Sequence, residues 1–164
     1  MTEDVVRAMG FLALGTRLKR IGERLQTQTQ ALLEECGIDA PSAHFPLLAA
    51  LDRLGPLSVG EMTEALGVAQ PGVTRLADKL EAGGLIRSAK AHGDRRVRIL
   101  ALSAAGRRLM ARAQRAAWPL VEAAVADACA GLKGPLLAQL AALEDALDSA
   151  PLHARVEEVE DESA

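Results

Sequence analysis

Aromatic side chains are nearly missing from this 164-residue chain, which has no tyrosine, two phenylalanines (Phe11 and Phe45) and one tryptophan (Trp118). Alanine and leucine recur instead, and since these lose little freedom in a helix, the balance favours helix over strand. Cysteine is also scarce. Cys36 and Cys129 stand alone without CxxC spacing, which excludes a disulfide framework or a structural zinc. Glu34 and Glu35 beside Cys36 disfavour a reactive thiolate there. Long apolar runs are absent: Glu122, Asp127 or arginines interrupt them before the roughly 18 residues that a membrane span requires. The start, Thr2-Glu3-Asp4, lacks the basic and apolar segments of a secretory signal, so a cytoplasmic protein with no membrane partner is expected. Catalytic signatures are missing too. His44, His92 and His153 are scattered without metal-ligand spacing, no glycine-rich loop links a strand to a helix, and no nucleophile motif occurs. No enzyme, cofactor or metal is expected.

What the chain does have is helical periodicity. Across 4–35, Val5, Met9, Leu12, Leu18, Ile21, Leu25, Leu32 and Leu33 recur at helical spacing, and Gly37 stands where a C-terminal cap belongs. One small domain cannot bury so long a stripe, which points to a second subunit completing it. Pro41 and Ser42 open a second helix with Phe45, Leu47, Leu48 and Leu51 inward, stopped by Gly55 and Pro56. Ser58 with Glu61 has the form of a capping box ahead of Val59, Met62 and Leu66, and Gly67 ends that short helix. Pro71 suits the first turn of the next, whose apolar face is Val73, Leu76, Ala77 and Leu80 and whose end is Gly83-Gly84. Two short helices joined around a glycine outline a helix-turn-helix. Burying the apolar face of the second turns Pro71, Gly72, Thr74, Arg75, Asp78 and Lys79 outward.

Leu85–Lys90 and Val97–Leu102 read as a β-hairpin turning at Gly93. Ser103 caps a long helix to about Ala130, bent at Pro119, and Gly134-Pro135 start a last helix carrying Leu136, Leu140, Leu143 and Leu147. Residues 151–164 read as a disordered acidic tail. The net charge of −3 argues against nucleic acid, but its distribution argues the other way. Residues 70–112 hold ten basic and three acidic side chains, a local balance of +7 that leaves −10 for the remainder. One cationic face on an anionic body follows.

The order of these elements, with Leu66-Gly67-Val68, Val73-Thr74-Arg75-Leu76, Leu80 to Ile86, Gly93-Asp94-Arg95-Arg96 and the run Leu102-Ser103 to Gly106, resembles the MarR family of bacterial transcriptional regulators over nearly the whole chain. The expected fold is mainly α with a small β-hairpin wing: a winged helix-turn-helix lobe (42–102) and long dimerisation helices (4–35 and 103–150) within one domain, 1–150. The resemblance implies a two-fold homodimer bound to a pseudo-palindromic duplex as a ligand-responsive repressor. The helix beginning near Gln70 would enter the major groove and Arg96 the minor groove, with Asp94 orienting the wing through an ion pair. It also implies a small-molecule effector in a crevice beside the lobe, for which His44, Phe45 and Trp118 are candidate lining residues; core packing is their alternative role.

The side chains suit double-stranded DNA. Arg75 can donate two parallel hydrogen bonds to guanine, and Gln70 and Thr74 can meet adenine or thymine edges. Ser58, Lys79, Arg87 and Lys90 suit phosphate, and Gly72 lets the backbone approach the duplex. An arginine such as Arg96 at a hairpin tip suits a narrow minor groove. Arg95 and Arg98 fit either phosphate contacts or internal salt bridges, while Arg107, Arg108 and Arg112 read as surface charge. The competing reading is a helical regulatory module that acts through protein partners.

Overall fold

The structure, a computed structural model, describes residues 2–91 and 96–155. It forms two compact units that divide after Glu122. The first opens with α1 (Val5–Ala8), a 3-10 turn (Gly10–Ala13) and α2 (Leu14–Glu35). The single long helix expected over 4–35 is therefore interrupted. Gly10 takes φ +56°, a left-handed conformation that ends α1 and that few other residues accept. A 3-10 turn over Ser42–His44 then leads into α3 (Phe45–Leu54), which buries Phe45, Leu47, Leu48 and Leu51 as the periodicity predicts.

Next come β1 (Leu57–Ser58), α4 (Val59–Leu66), α5 (Gln70–Ala82), β2 (Ile86–Lys90) and β3 (Arg98–Leu102). The hairpin is thus present, but it belongs to a three-stranded antiparallel sheet in the order β1-β3-β2. Leu57 pairs with Leu100 and Ser58 with Ile99, so β1 ties the start of α4 to the middle strand of the wing. Two residues are too few to show a period of two, which is why this strand is not legible in the sequence.

Ser103 accepts a hydrogen bond from the Gly106 N–H and starts α6 (Ala104–Ala116). The expected bent helix to Ala130 is instead two helices, with α7 (Trp118–Cys129) beginning after Ala117. Pro119 lacks the N–H that would continue the ladder from α6, and it sits in the first turn of α7, where none is needed. A Cβ on Gly106 would overlap the Leu85 carbonyl oxygen, so α6 packs here directly against the wing backbone.

Every helix from α2 to α6 and both hairpin strands send side chains to one core. Leu33, Leu47, Leu48, Met62, Val73, Leu80, Leu100 and Met110 are each under 2% exposed there. Burying a side chain of this size contributes about 1.5–3 kcal/mol. The second unit holds the end of α7 and α8 (Leu136–Ser149), in which no side chain is buried and Leu137 is 81% exposed. Residues 152–155, expected to be disordered, form a separate helical turn after Pro151, and Arg155 donates to the Ala150 and Ala146 carbonyls. The rest of the acidic tail lies outside the described residues. Among the described residues no helix is long and apolar enough to cross a membrane.

Candidate nucleic-acid interface

α4 is started by a reciprocal pair of hydrogen bonds. The Glu61 N–H donates to Ser58 Oγ (3.2 Å) and the Ser58 N–H donates to Glu61 Oε2 (2.7 Å). The bond from the Ser58 backbone, then that from its side chain, holds the Glu61 carboxyl below its ordinary value. Gly67 closes α4 in the left-handed conformation, and α5 begins three residues later. Val73, Ala77 and Leu80 bury one face of α5, leaving Gln70, Pro71, Arg75, Asp78 and Lys79 exposed and Gly72 and Thr74 half-buried. The Arg75 Nε–H donates to the Pro71 carbonyl (3.3 Å), so any two-pronged donation to a base uses its terminal nitrogens. Open space stands where a Gly72 Cβ would be, so no contact within the chain demands glycine at this position.

Two surface hollows show how the predicted residues come together. One of about 570 Å³ is lined by Gln70, Pro71, Thr74 and Arg75. The other, about 390 Å³, lies between α5, the start of α4 and the wing, and is lined by Ser58, Val59, Gln70, Thr74, Arg96 and Arg98, among others. Gln70 and Thr74 border both. Arg75 and Arg96 therefore flank one continuous outer surface. Arg87 and Lys90 are exposed on β2, Lys90 opposite Arg98. Asp94 and Arg95, with the ion pair expected of Asp94, lie outside the described residues.

Arg98 has a definite place. Its Nη1 donates to Asp78 Oδ1 (2.6 Å) and its Nη2 to Glu81 Oε2 (2.7 Å). Of its two readings, the structure shows the internal salt bridge. Glu81 Oε1 also accepts from both the N–H (2.9 Å) and the hydroxyl (2.7 Å) of Ser88. These Ser88 bonds, followed by Arg98, hold the Glu81 carboxyl below its usual range, while Asp78 and then Glu81 raise Arg98. Neither Glu81 nor Ser88 stood out in the sequence. The available signal was that Asp78 and Glu81, the only acids of α5, are spaced to share one helix face.

The proposed effector residues are not alike. Phe45 belongs to the core, and Trp118 is half-buried against it. His44 is half-buried with Nδ1 enclosed and without a hydrogen-bond partner, and burial, then the charge of Lys79, pushes its pKa down. Arg107 and Arg112, expected as plain surface charge, donate to the carbonyls of Leu102 (3.0 Å) and Gly37 (2.6 Å). Cys36 is half-buried and its thiol lies 3.5 Å from the Ala116 carbonyl. No group of three His, Cys, Asp or Glu among the described residues could hold a metal ion.

A short helix pair, a three-stranded sheet at its side and a cationic outer face define a winged helix-turn-helix protein. Solved structures share this fold. The MosR transcriptional regulator of Mycobacterium tuberculosis, solved in complex with DNA, is 21% identical, with 85% of this chain and 98% of that chain covered and a TM-score of 0.68. MarR of E. coli is 17% identical over 82% of this chain and 96% of its own, with a TM-score of 0.58. BpsR of Bordetella bronchiseptica, whose DNA binding is regulated by 6-hydroxynicotinic acid, is 20% identical over 79% and 97%, with a TM-score of 0.54. No curated protein matches the sequence. Residues 37–97, from just after α2 to the wing, match the MarR family model.

Proposed function

We propose that this protein is a sequence-specific, ligand-responsive transcriptional regulator that binds a pseudo-palindromic DNA duplex as a homodimer in the cytoplasm, without catalytic activity. One observation carries the DNA reading: Gln70, Thr74 and Arg75 of α5 and Arg96 of the wing border adjoining hollows on one face. Base-reading donors on a helix next to a cation on a β-hairpin match the two grooves of a duplex. Lys79, Arg87 and Lys90 supply charge for phosphates around them. MosR, solved with DNA, lends support to this mode of action. The regulation of BpsR by a small acid supports an effector, for which half-buried His44 and Trp118 are the candidate lining residues.

The test is footprinting of the purified protein on the DNA upstream of its own gene over a salt series. Two protected half-sites about one helical turn apart are expected, with affinity falling steeply as salt rises. Binding that ignored salt, or equal protection of random DNA, would overturn the reading.

A further inference from the structure

Glu81 holds both strands of the wing at once. Its Oε1 takes the N–H and hydroxyl of Ser88 on β2, and its Oε2 takes Arg98 of β3, while Asp78 holds the other arm of the Arg98 guanidinium. Arg98 is only 28% exposed, and both arms of its planar fork make charge-assisted bonds, the one to Glu81 partly buried and the one to Asp78 exposed. It also lines the same hollow as Gln70, Thr74 and Arg96. The basic residue deepest in the cationic face is thus committed to the protein's own carboxylates.

We propose that Glu81 and Arg98 form a clamp that sets the angle of the wing against α5, so that Arg98 is a positioning residue and not a phosphate ligand. This rests on the DNA-binding reading and adds to it a determinant of groove spacing. Asp78 shares the clamp, and Ser88 anchors its other end.

The clamp makes a prediction whose sign opposes simple electrostatics. Glu81→Gln removes a negative charge from a DNA-facing lobe, which by charge alone tightens binding. The Gln side chain can still accept from Ser88 through its carbonyl, but it turns an NH2 group towards Arg98 and opens that arm of the clamp. Binding by Glu81→Gln is therefore expected to weaken by about tenfold, the scale of one hydrogen bond to a charged group. Arg98→Met is expected to weaken binding similarly while leaving the salt dependence as in the unaltered protein. Arg98→Lys keeps the charge but reaches only one carboxylate, and is expected to behave like Arg98→Met.

Amide hydrogen exchange in the DNA-free protein supplies an independent readout. All three variants are expected to speed exchange at Ala91, whose N–H donates to the Val97 carbonyl across the turn end of the hairpin, by about tenfold with the core amides unchanged. Tighter binding by Glu81→Gln would overturn the clamp. So would an Arg98→Met salt slope shallower by about one per half-site, the mark of a lost phosphate contact, or unaltered wing exchange. If the unaltered protein bound no DNA, the functional reading would fail, and hydrogen exchange would still decide the clamp.

Discussion

Arg75 and Lys79 stand one turn apart on α5, both exposed and of equal charge, yet their chemistry differs. The guanidinium still has a planar pair of terminal nitrogens after its Nε–H is used by Pro71, whereas the ammonium is a point charge. Arg75→Ala is accordingly expected to relax base preference at one position per half-site, worth about 1–3 kcal/mol of discrimination. Lys79→Ala is expected to weaken specific and random DNA alike and to flatten the salt dependence. Binding to a panel of single-base operator variants checks both, and identical behaviour of the two mutants would refute the division of roles. The outward placement of these residues was legible because the buried positions Val73, Ala77 and Leu80 leave α5 only one solvent face. The engagement of Arg98 was not legible, since its partners lie 17 and 20 residues away and no local spacing links them.

At the scale of elements, the lobe depends on two junctions. The first is the Ser58 cap, which starts α4 and, through β1, joins it to β3. Ser58→Ala removes the acceptor for the Glu61 N–H and is expected to cost about 1 kcal/mol of stability. The second is the contact of α6 with the wing at Gly106. A methyl group there meets the Leu85 carbonyl, which is backbone and cannot swing aside, so Gly106→Ala is expected to cost more than Ser58→Ala, about 3 kcal/mol. Urea denaturation of the two variants measures both effects, and a Gly106→Ala protein as stable as the unaltered one would contradict the close approach. The capping box was readable from Ser58 and Glu61 alone because it acts within four residues. The Gly106 contact involves two segments brought together only by the fold.

At the scale of the whole molecule, the first unit leaves an apolar row uncovered on α2, where Leu18, Ile21 and Leu25 are 39%, 45% and 39% exposed. Val5, Met9, Phe11 and Leu12 before it are exposed as well. Soluble proteins seldom leave so many large apolar side chains in water, and a second copy would cover them. Leu18→Glu with Ile21→Glu is expected to shift the protein from dimer to monomer in sedimentation, since a charge cannot be buried there without a partner. Operator affinity should fall by about a hundredfold as the two half-sites lose their linkage. A double variant that remained dimeric would remove this face from the interface. Both substitutions are on exposed positions, so helical content by circular dichroism should be unchanged.

The sequence by itself determined the helices, their caps, the hairpin and the gathering of positive charge on one helix and its neighbouring wing, because periodicity, capping and turn chemistry act between residues a few positions apart. Tertiary structure decided the rest. It joined β1 to β3, split the helices expected over 4–35 and 103–130 into shorter pieces and enclosed His44 Nδ1. It also engaged Arg98 and Arg112 with groups 17 to 75 residues away. The physical reason is distance along the chain: a charge shows its sign in the sequence, but whether it faces solvent, DNA or its own carboxylates depends on which distant segment the packed core sets beside it.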